Sequence, residues 1–193
     1  MTALLRLEGV ACIRGGRLLF EGLDLALGAG EALVLTGPNG AGKSSLMRIA
    51  AGLLRASAGK VERASAAALA DETAALDERL TLGRALGFWA GLDGASAEAG
   101  MEPMGLSRLA RVPVRMLSTG QRKRAVLARV VASGAPLWLL DEPANGLDGE
   151  GRERLAAAMA EHRRGGGAVL AASHQPLGLE DAAELRLEQK WER

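Results

Sequence analysis

Apolar and polar residues alternate along the first thirty positions, in residues 4–7, in residues 18–20 and most regularly in Leu23-Asp24-Leu25-Ala26-Leu27. Period two with turns between the pieces predicts short strands buried on one face, forming a small antiparallel β layer. Gly28-Ala29-Gly30 then turns the chain into residues 32–36, a continuous apolar run of the kind a strand shows when both of its faces are covered. Helical spacing takes over in residues 46–51, and Gly52 followed by Ser57-Ala58-Gly59 predicts a stop and a turn before another strand at 60–63. Residues 64–115 are Ala-rich and helix-favouring, interrupted by Gly91-Leu92-Asp93-Gly94, Pro103 and Pro113. They predict a mainly helical stretch in which Leu82, Leu86 and Trp89 share one face of a helix over 80–92, with Ala85 and Phe88 beside them. That stripe reads as packing against the rest of the domain. The last third predicts a helix over 121–132, an apolar strand at 137–140, a helix around 150–163 ended by Gly165-Gly166-Gly167, a buried strand at 168–172, and a final edge strand at 185–187. Helices alternating with apolar strands predict an α/β fold, a parallel sheet with helices on both faces.

Composition narrows this picture. The 193 residues are the length of one domain. With 24 Lys+Arg against 23 Asp+Glu, the net charge shows no field of the kind a nucleic-acid binder carries. Cys12 stands alone, which excludes an intrachain disulfide and a cysteine-rich metal site and fits a reducing, intracellular location. The first residues lack a signal-peptide core and no apolar run reaches bilayer length, so any membrane role is expected to come through a partner. Tyrosine is absent and aromatics make up 3%, so Leu, Ala and Val must build the core.

Candidate chemistry begins between the run at 32–36 and the helix at 46–51. Gly37, Pro38, Asn39, Gly40, Ala41, Gly42, Lys43, Ser44 and Ser45 match G-x-x-x-x-G-K-[ST], the phosphate-binding P-loop, in its required strand-loop-helix setting. Its glycines let backbone N–H groups converge on one concavity, and the helix N-terminus adds a positive dipole end. Lys43 is expected to reach the β- and γ-phosphates of ATP, and the Ser44 hydroxyl to ligate Mg²⁺. The strand at 137–140 ends in Asp141-Glu142, a Walker B arrangement. Asp141 is expected to help hold Mg²⁺, and Glu142 to orient or deprotonate an attacking water.

Leu117-Ser118-Thr119-Gly120-Gln121, lying between these two motifs, resembles the signature motif of the ATP-binding cassette (ABC) ATPases. Taken alone, Ser118 would cap a helix, and the amides near Gly120 would form an anion site. The resemblance covers nearly the whole chain. It implies a P-loop NTPase core with a parallel sheet flanked by helices, a small antiparallel β layer, and a mainly helical subdomain inserted at about 64–135 in one domain spanning 1–193. It further implies a head-to-tail dimer in which Ser118 and Gly120 close over the ATP of a second ATP-binding subunit. Asn145-Gly146-Leu147-Asp148 is similar to the family's D-loop, which places Asp148 at that interface. Ser173-His174-Gln175 resembles the switch histidine, giving His174 a contact with the γ-phosphate and the water. Two positions depart from the family pattern. Arg14 stands twenty-nine residues before Lys43, where an aromatic residue normally stacks on adenine, and its guanidinium plane can also stack on a base. The glutamine that links Mg²⁺ to the membrane partner is missing, and Asp71 or Glu72 is the nearest candidate.

The short interval between Ser45 and Leu117 is too small for the long coiled coils of chromosome or repair ATPases of this family. Gly120-Gln121-Arg122-Lys123-Arg124, the run from 135 to 143, and Ala172-Ser173-His174-Gln175 resemble the ATP-binding subunits of bacterial haem exporters used in cytochrome c maturation. That resemblance implies transmembrane permease subunits as partners and a peripheral place on the cytoplasmic face of the inner membrane. Without a Cys-x-x-Cys-His, the chain is not expected to bind haem directly. Two alternatives stay open: a subunit of another exporter, and a nucleotide-dependent interaction module that does not hydrolyse ATP.

Overall fold

The computed structural model describes residues 3–71, 76–179 and 181–188. Its first two strands, β1 (Ala3–Arg14) and β2 (Arg17–Gly28), form a hairpin closed by the Arg14↔Arg17 pair. These strands are longer than the short pieces read from periodicity. Register shifts along β1, and positive φ at Gly9 and Gly22, let each strand continue through a break in its alternation. The strand β3 (Ala32–Thr36) leads through the P-loop into the helix α1 (Lys43–Ala51). Next comes β4 (Ala58–Arg63), which pairs antiparallel with β1 and completes a layer of order β2-β1-β4.

The stretch from 64 onward begins with a strand where helix was expected. β5 (Ala67–Ala70) joins the main sheet beside β6 (Leu137–Asp141), with Ala70 opposite Leu140. The helical part follows as α2 (Leu82–Leu92), α3 (Ala97–Met101), two single 3-10 turns at Ser107–Leu109 and Val114–Met116, and α4 (Thr119–Ala132). After β6 come α5 (Gly149–Arg164), β7 (Ala168–Ala172) and the edge strand β8 (Ala183–Arg186). The parallel order is β5-β6-β7-β3-β8.

Pleating divides the core between the two faces of this sheet. Leu137, Leu139, Leu170 and Leu35 join α1 and the antiparallel layer, where Leu46, Met47, Leu5 and Leu27 are buried. Trp138, Leu140 and Val169 point the other way, against Leu127 and Val130 of α4 and Leu155 and Met159 of α5. All five residues of β6 and all five of β7 are buried, and so their sequences show no alternation. Burying one such leucine contributes about 1.5–3 kcal/mol, which fixes the registry of β3, β6 and β7 and therefore the place of the loops beyond them.

Candidate functional site

The carboxyl ends of three central strands lie in one row. Leu35 of β3 and Asp141 of β6 both stand opposite Ala172 of β7. One residue further on, the Glu142 amide donates to the Ala172 carbonyl (2.9 Å) and the Ser173 amide to the Leu35 carbonyl (3.3 Å), so the zipper extends into the loops. The P-loop, the acid pair and the histidine loop therefore emerge side by side, where parallel sheets place their ligands.

Lys43 is 7% exposed, and its ammonium is fully engaged. It donates to the carbonyls of Gly37 (2.7 Å) and Pro38 (3.2 Å) and sits 3.1 Å from Nε2 of His174. The loop wraps round its own lysine because of two close approaches. A Cβ on Gly37 (φ 130°) would meet the Leu187 carbonyl oxygen at 2.2 Å, and one on Gly42 (φ 102°) would meet the Phe20 ring at 2.9 Å. Only glycine fits either place. The Ala41 amide donates to the Pro38 carbonyl, and an open cleft of about 400 Å³ remains above the loop. Leu19, Asn39, Gly40, Gly42, Lys43, Ser44, Ser45, Asp141 and Glu142 line it.

Asp141 is buried, and Ser44 presents its side chain at the exposed start of α1. Glu142 has φ 47°, and it is the one non-glycine residue with positive φ among the described residues. Such a backbone costs about 1–3 kcal/mol and persists where the surroundings over-determine it, here through the amide bond to Ala172 and the following Pro143. The twist leaves Glu142 Oε1 3.6 Å from His174 Nε2. Ser173, itself buried, ties the histidine loop down by accepting from the Gln175 amide (3.0 Å), and Gln175 Nε2 donates to Asn145 Oδ1 (3.2 Å). A cation, a carboxylate and an imidazole thus converge beside a cleft rich in backbone N–H groups. That set can hold a polyphosphate and activate a water.

Other residues singled out in the sequence lie elsewhere. Ser118 caps α4 and forms a capping box with Gln121, outside the lining of the cleft. A Cβ on Gly120 would come within 3.2 Å of the Gly146 carbonyl, so the start of α4 abuts the 145–148 turn. Asp148 is exposed, and its Oδ1 accepts from the Gly151 amide (2.8 Å), which makes it the N-cap of α5. Arg14 is exposed at the hairpin tip and is not among the residues lining the cleft. Asp71 follows β5 directly beside the Asp141 row, with Oδ2 3.7 Å from Arg48 on α1. Glu72 lies outside the described residues.

Periodicity and motifs did not point to three features. Leu19 forms one wall of the cleft. The Lys43 to His174 contact spans 131 positions. Burial is the main cause that pushes the Cys12 thiol up, outweighing Ser45 and Arg14, which lower it, and keeps it protonated. Only the hairpin register, which sets Cys12 opposite Phe20, carries the first and third.

A profile of the ABC transporter family matches residues 20–145. Three proteins named cytochrome c biogenesis ATP-binding export protein CcmA are similar over nearly the full length. The protein of Sphingopyxis alaskensis is 61% identical, over 96% of this chain and 97% of its own. That of Novosphingobium aromaticivorans is 57% identical over 92% of each chain, and that of Zymomonas mobilis 52% over 97% and 86%. Among solved structures, an ATP-binding subunit of an ABC transporter superposes with a TM-score of 0.85 at 24% identity, covering 97% of this chain and 88% of its own. An inward-facing metal-chelate-type ABC transporter gives 0.79 at 24% identity, covering 97% and 80%. The last two bear on the fold, and they share the architecture described above. No helix among the described residues is long and apolar enough to cross a membrane. Motif, architecture and kinship agree: the chain belongs to the ABC transporter family, as an ATP-binding and ATP-hydrolysing subunit.

Proposed function

We propose that this chain powers an exporter serving cytochrome c maturation, whose cycle delivers haem, or releases a haem-loaded chaperone, on the far side of the membrane. The convergence of Lys43, His174 and Glu142 beside the cleft carries the catalytic half of this reading. The export half rests on the name shared by relatives of 61%, 57% and 52% identity.

Backbone N–H groups of residues 39–45 and the N-terminus of α1 cradle the ATP phosphates. Lys43 exchanges its carbonyl and imidazole partners for β- and γ-phosphate oxygens. Glu142 orients water in line with the γ-phosphorus and takes its proton, while His174 contacts the γ-phosphate. Mg²⁺ fits the donor set, since Ser44 and Asp141 offer hard oxygen ligands at the cleft. No cluster of three or more His, Cys, Asp or Glu among the described residues makes a self-sufficient metal cage. An ion held by one or two side chains together with substrate phosphates suits such a site, and it would supply charge neutralisation on those phosphates.

Ser118 and Gly120 stand outside this chain's own cleft, which supports their acting on the ATP of a second ATP-binding subunit in a head-to-tail dimer. Exposed Asp148, at the head of α5, then belongs to the same interface. Arg14 at the hairpin tip is the candidate for adenine stacking. Asp71, between the Asp141 row and Arg48, or Glu72 beyond it, stands in for the missing glutamine that reports to the transmembrane permease subunits. The residues 1–193 act as one ATP-binding domain on the cytoplasmic face of the inner membrane, with β5 belonging to its core and the helical subdomain following it. Direct haem binding is not part of this reading, which is supported by His162 stacking on Trp138 and His174 facing Lys43.

The test is ATP turnover by the chain alone and with the membrane subunits that co-purify with it. Turnover that rises with those subunits is expected. Its absence in both states would return the chain to a nucleotide-dependent module that does not hydrolyse ATP.

A further inference from the structure

Glu142 and His174 come from different loops, and their own contact does not hold them together. Glu142 Oε1 and His174 Nε2 are 3.6 Å apart, beyond hydrogen-bond reach. An ammonium only donates, so Nε2 accepts from Lys43 at 3.1 Å and has no proton to offer the carboxylate. Something else must keep the two side chains side by side.

The strand ladder fixes only the roots of the two loops. Asp141 pairs with Ala172, the Glu142 amide donates to the Ala172 carbonyl, and the chain then leaves both strands. On the β6 side, the Asn145 amide donates to the Glu142 carbonyl at 3.3 Å and closes a turn that starts at Glu142. On the β7 side, the buried Ser173 hydroxyl donates to the Gln175 carbonyl (2.9 Å) and accepts from the Gln175 amide (3.0 Å), which leaves His174 at the tip of a tight turn. Each set of bonds shapes its own turn and leaves the tilt of one turn against the other open. Gln175 Nε2 closes that gap by donating to Asn145 Oδ1 at 3.2 Å, the one side-chain hydrogen bond between 142–148 and 173–178 among the described residues. Both residues are exposed, and neither lines the nucleotide cleft.

We propose that Asn145 and Gln175 are positioning residues, whose carboxamide pair sets the separation of Glu142 and His174 and so their joint alignment on the γ-phosphate and the water. This role rests on the proposed catalytic parts of Glu142 and His174. The pair completes a ring that runs from Glu142 through Asn145 and Gln175 to His174, with the Ala172 bond at its base. Two carboxamides can do this without adding charge beside a polyphosphate. Without the link the histidine turn is free to tilt, and a misplacement of about 1 Å costs about a hundredfold in rate. Nucleotide binding by the P-loop does not pass through this ring.

The experiment is steady-state ATP turnover by the full chain, with the membrane subunits that co-purify with it, in Gln175→Met, Asn145→Leu and the double variant. Each single change keeps the side chain's size and removes the bond. Each should lower kcat by about ten- to a hundredfold, with KM for ATP and the thermal midpoint of unfolding at the parent values. The double variant should lose no more than either single one, because both break the same bond. Asn145→Asp keeps the acceptor and should retain turnover near the parent's. Parent-like kcat in the single variants overturns the proposal, as do additive losses, a fall in the unfolding midpoint that tracks the lost turnover, or equal losses in Asn145→Asp and Asn145→Leu. Glu142→Gln separates this outcome from failure of the catalytic reading. Parent-like turnover there removes the catalytic assignment, whereas collapse there with unimpaired Gln175→Met and Asn145→Leu removes the positioning role alone.

Discussion

Lys43 Nζ lies 3.1 Å from His174 Nε2, and the same ring nitrogen is 3.6 Å from Oε1 of Glu142. An ammonium only donates, so Nε2 is the acceptor in this contact and the ring proton sits on Nδ1. With the Gly37 and Pro38 carbonyls as its other partners, the lysine is held ready but not free. In the proposed site, a phosphate taken up by Lys43 would displace these acceptors, so nucleotide binding would also release the histidine.

Lys43→Ala should therefore weaken ATP binding itself. A charge-assisted hydrogen bond is worth about 1.5–3 kcal/mol, so calorimetry should read a loss of about ten- to a hundredfold in affinity.

Glu142→Gln keeps the size and the strained backbone of the side chain but removes the proton acceptor. Phosphate release should fall by about 10²–10⁴-fold while ATP affinity changes little. Near-normal turnover would remove Glu142 from its role.

Ser118→Arg tests the shared site. Loss of the cap costs about 1 kcal/mol of helix stability, which leaves the fold intact. In a Glu142→Gln background, ATP should no longer bring two chains together in size-exclusion chromatography, although each still binds nucleotide in its own P-loop.

His162 gives the protein a pH dependence remote from the cleft. Its ring stacks on Trp138, 3.9 Å between centres and 10° from parallel, and Nε2 is 3.2 Å from the Pro136 carbonyl. Burial is the main cause that pulls its pKa below the ordinary 6.5, outweighing the backbone hydrogen bonds to Ala168 and Pro136 that raise it. The neutral ring is favoured on folding, so this stability is fully present above about 6.5, is lost as pH falls below that value, and stops falling beneath the depressed pKa. Denaturant midpoints taken from neutral to mildly acid pH should decline in the parent and flatten in His162→Phe, which keeps the stack.

Gly100→Ala should destabilise the helical part without touching chemistry. A Cβ there would lie 1.9 Å from the Ala128 carbonyl oxygen, forcing α3 away from α4. A loss of about 1–3 kcal/mol is expected in urea unfolding, with the ATP affinity of the folded fraction intact.

Much of the fold was legible because its determinants are short-range. The run at 32–36, the glycines of the loop and the helix after it depend on neighbours in sequence, and all three stand where they were read. β5 was not legible. Ala67-Ala68-Leu69-Ala70 favours helix by propensity and becomes a strand only because β6 offers it a parallel partner. In α2, the helical spacing identified Leu82 and Leu86 as buried but also drew Phe88 toward the stripe, and packing leaves Phe88 outside. Asp148 and Ser118 were read from a resemblance as interface residues, while their contacts within the chain are those of helix caps.

Spacing alone settles that Gly37 to Ser45 can wrap a phosphate, because a run of nine residues contains every group that loop requires. It cannot settle that His174 reaches Lys43 of that loop and that Glu142 lies beside His174. That meeting is decided by the parallel pairing of β6 with β7 and β7 with β3, held by buried leucines and backbone hydrogen bonds between segments far apart in the chain. A shift of one residue in either pairing would turn those side chains to the opposite face of the sheet and leave the P-loop lysine without them.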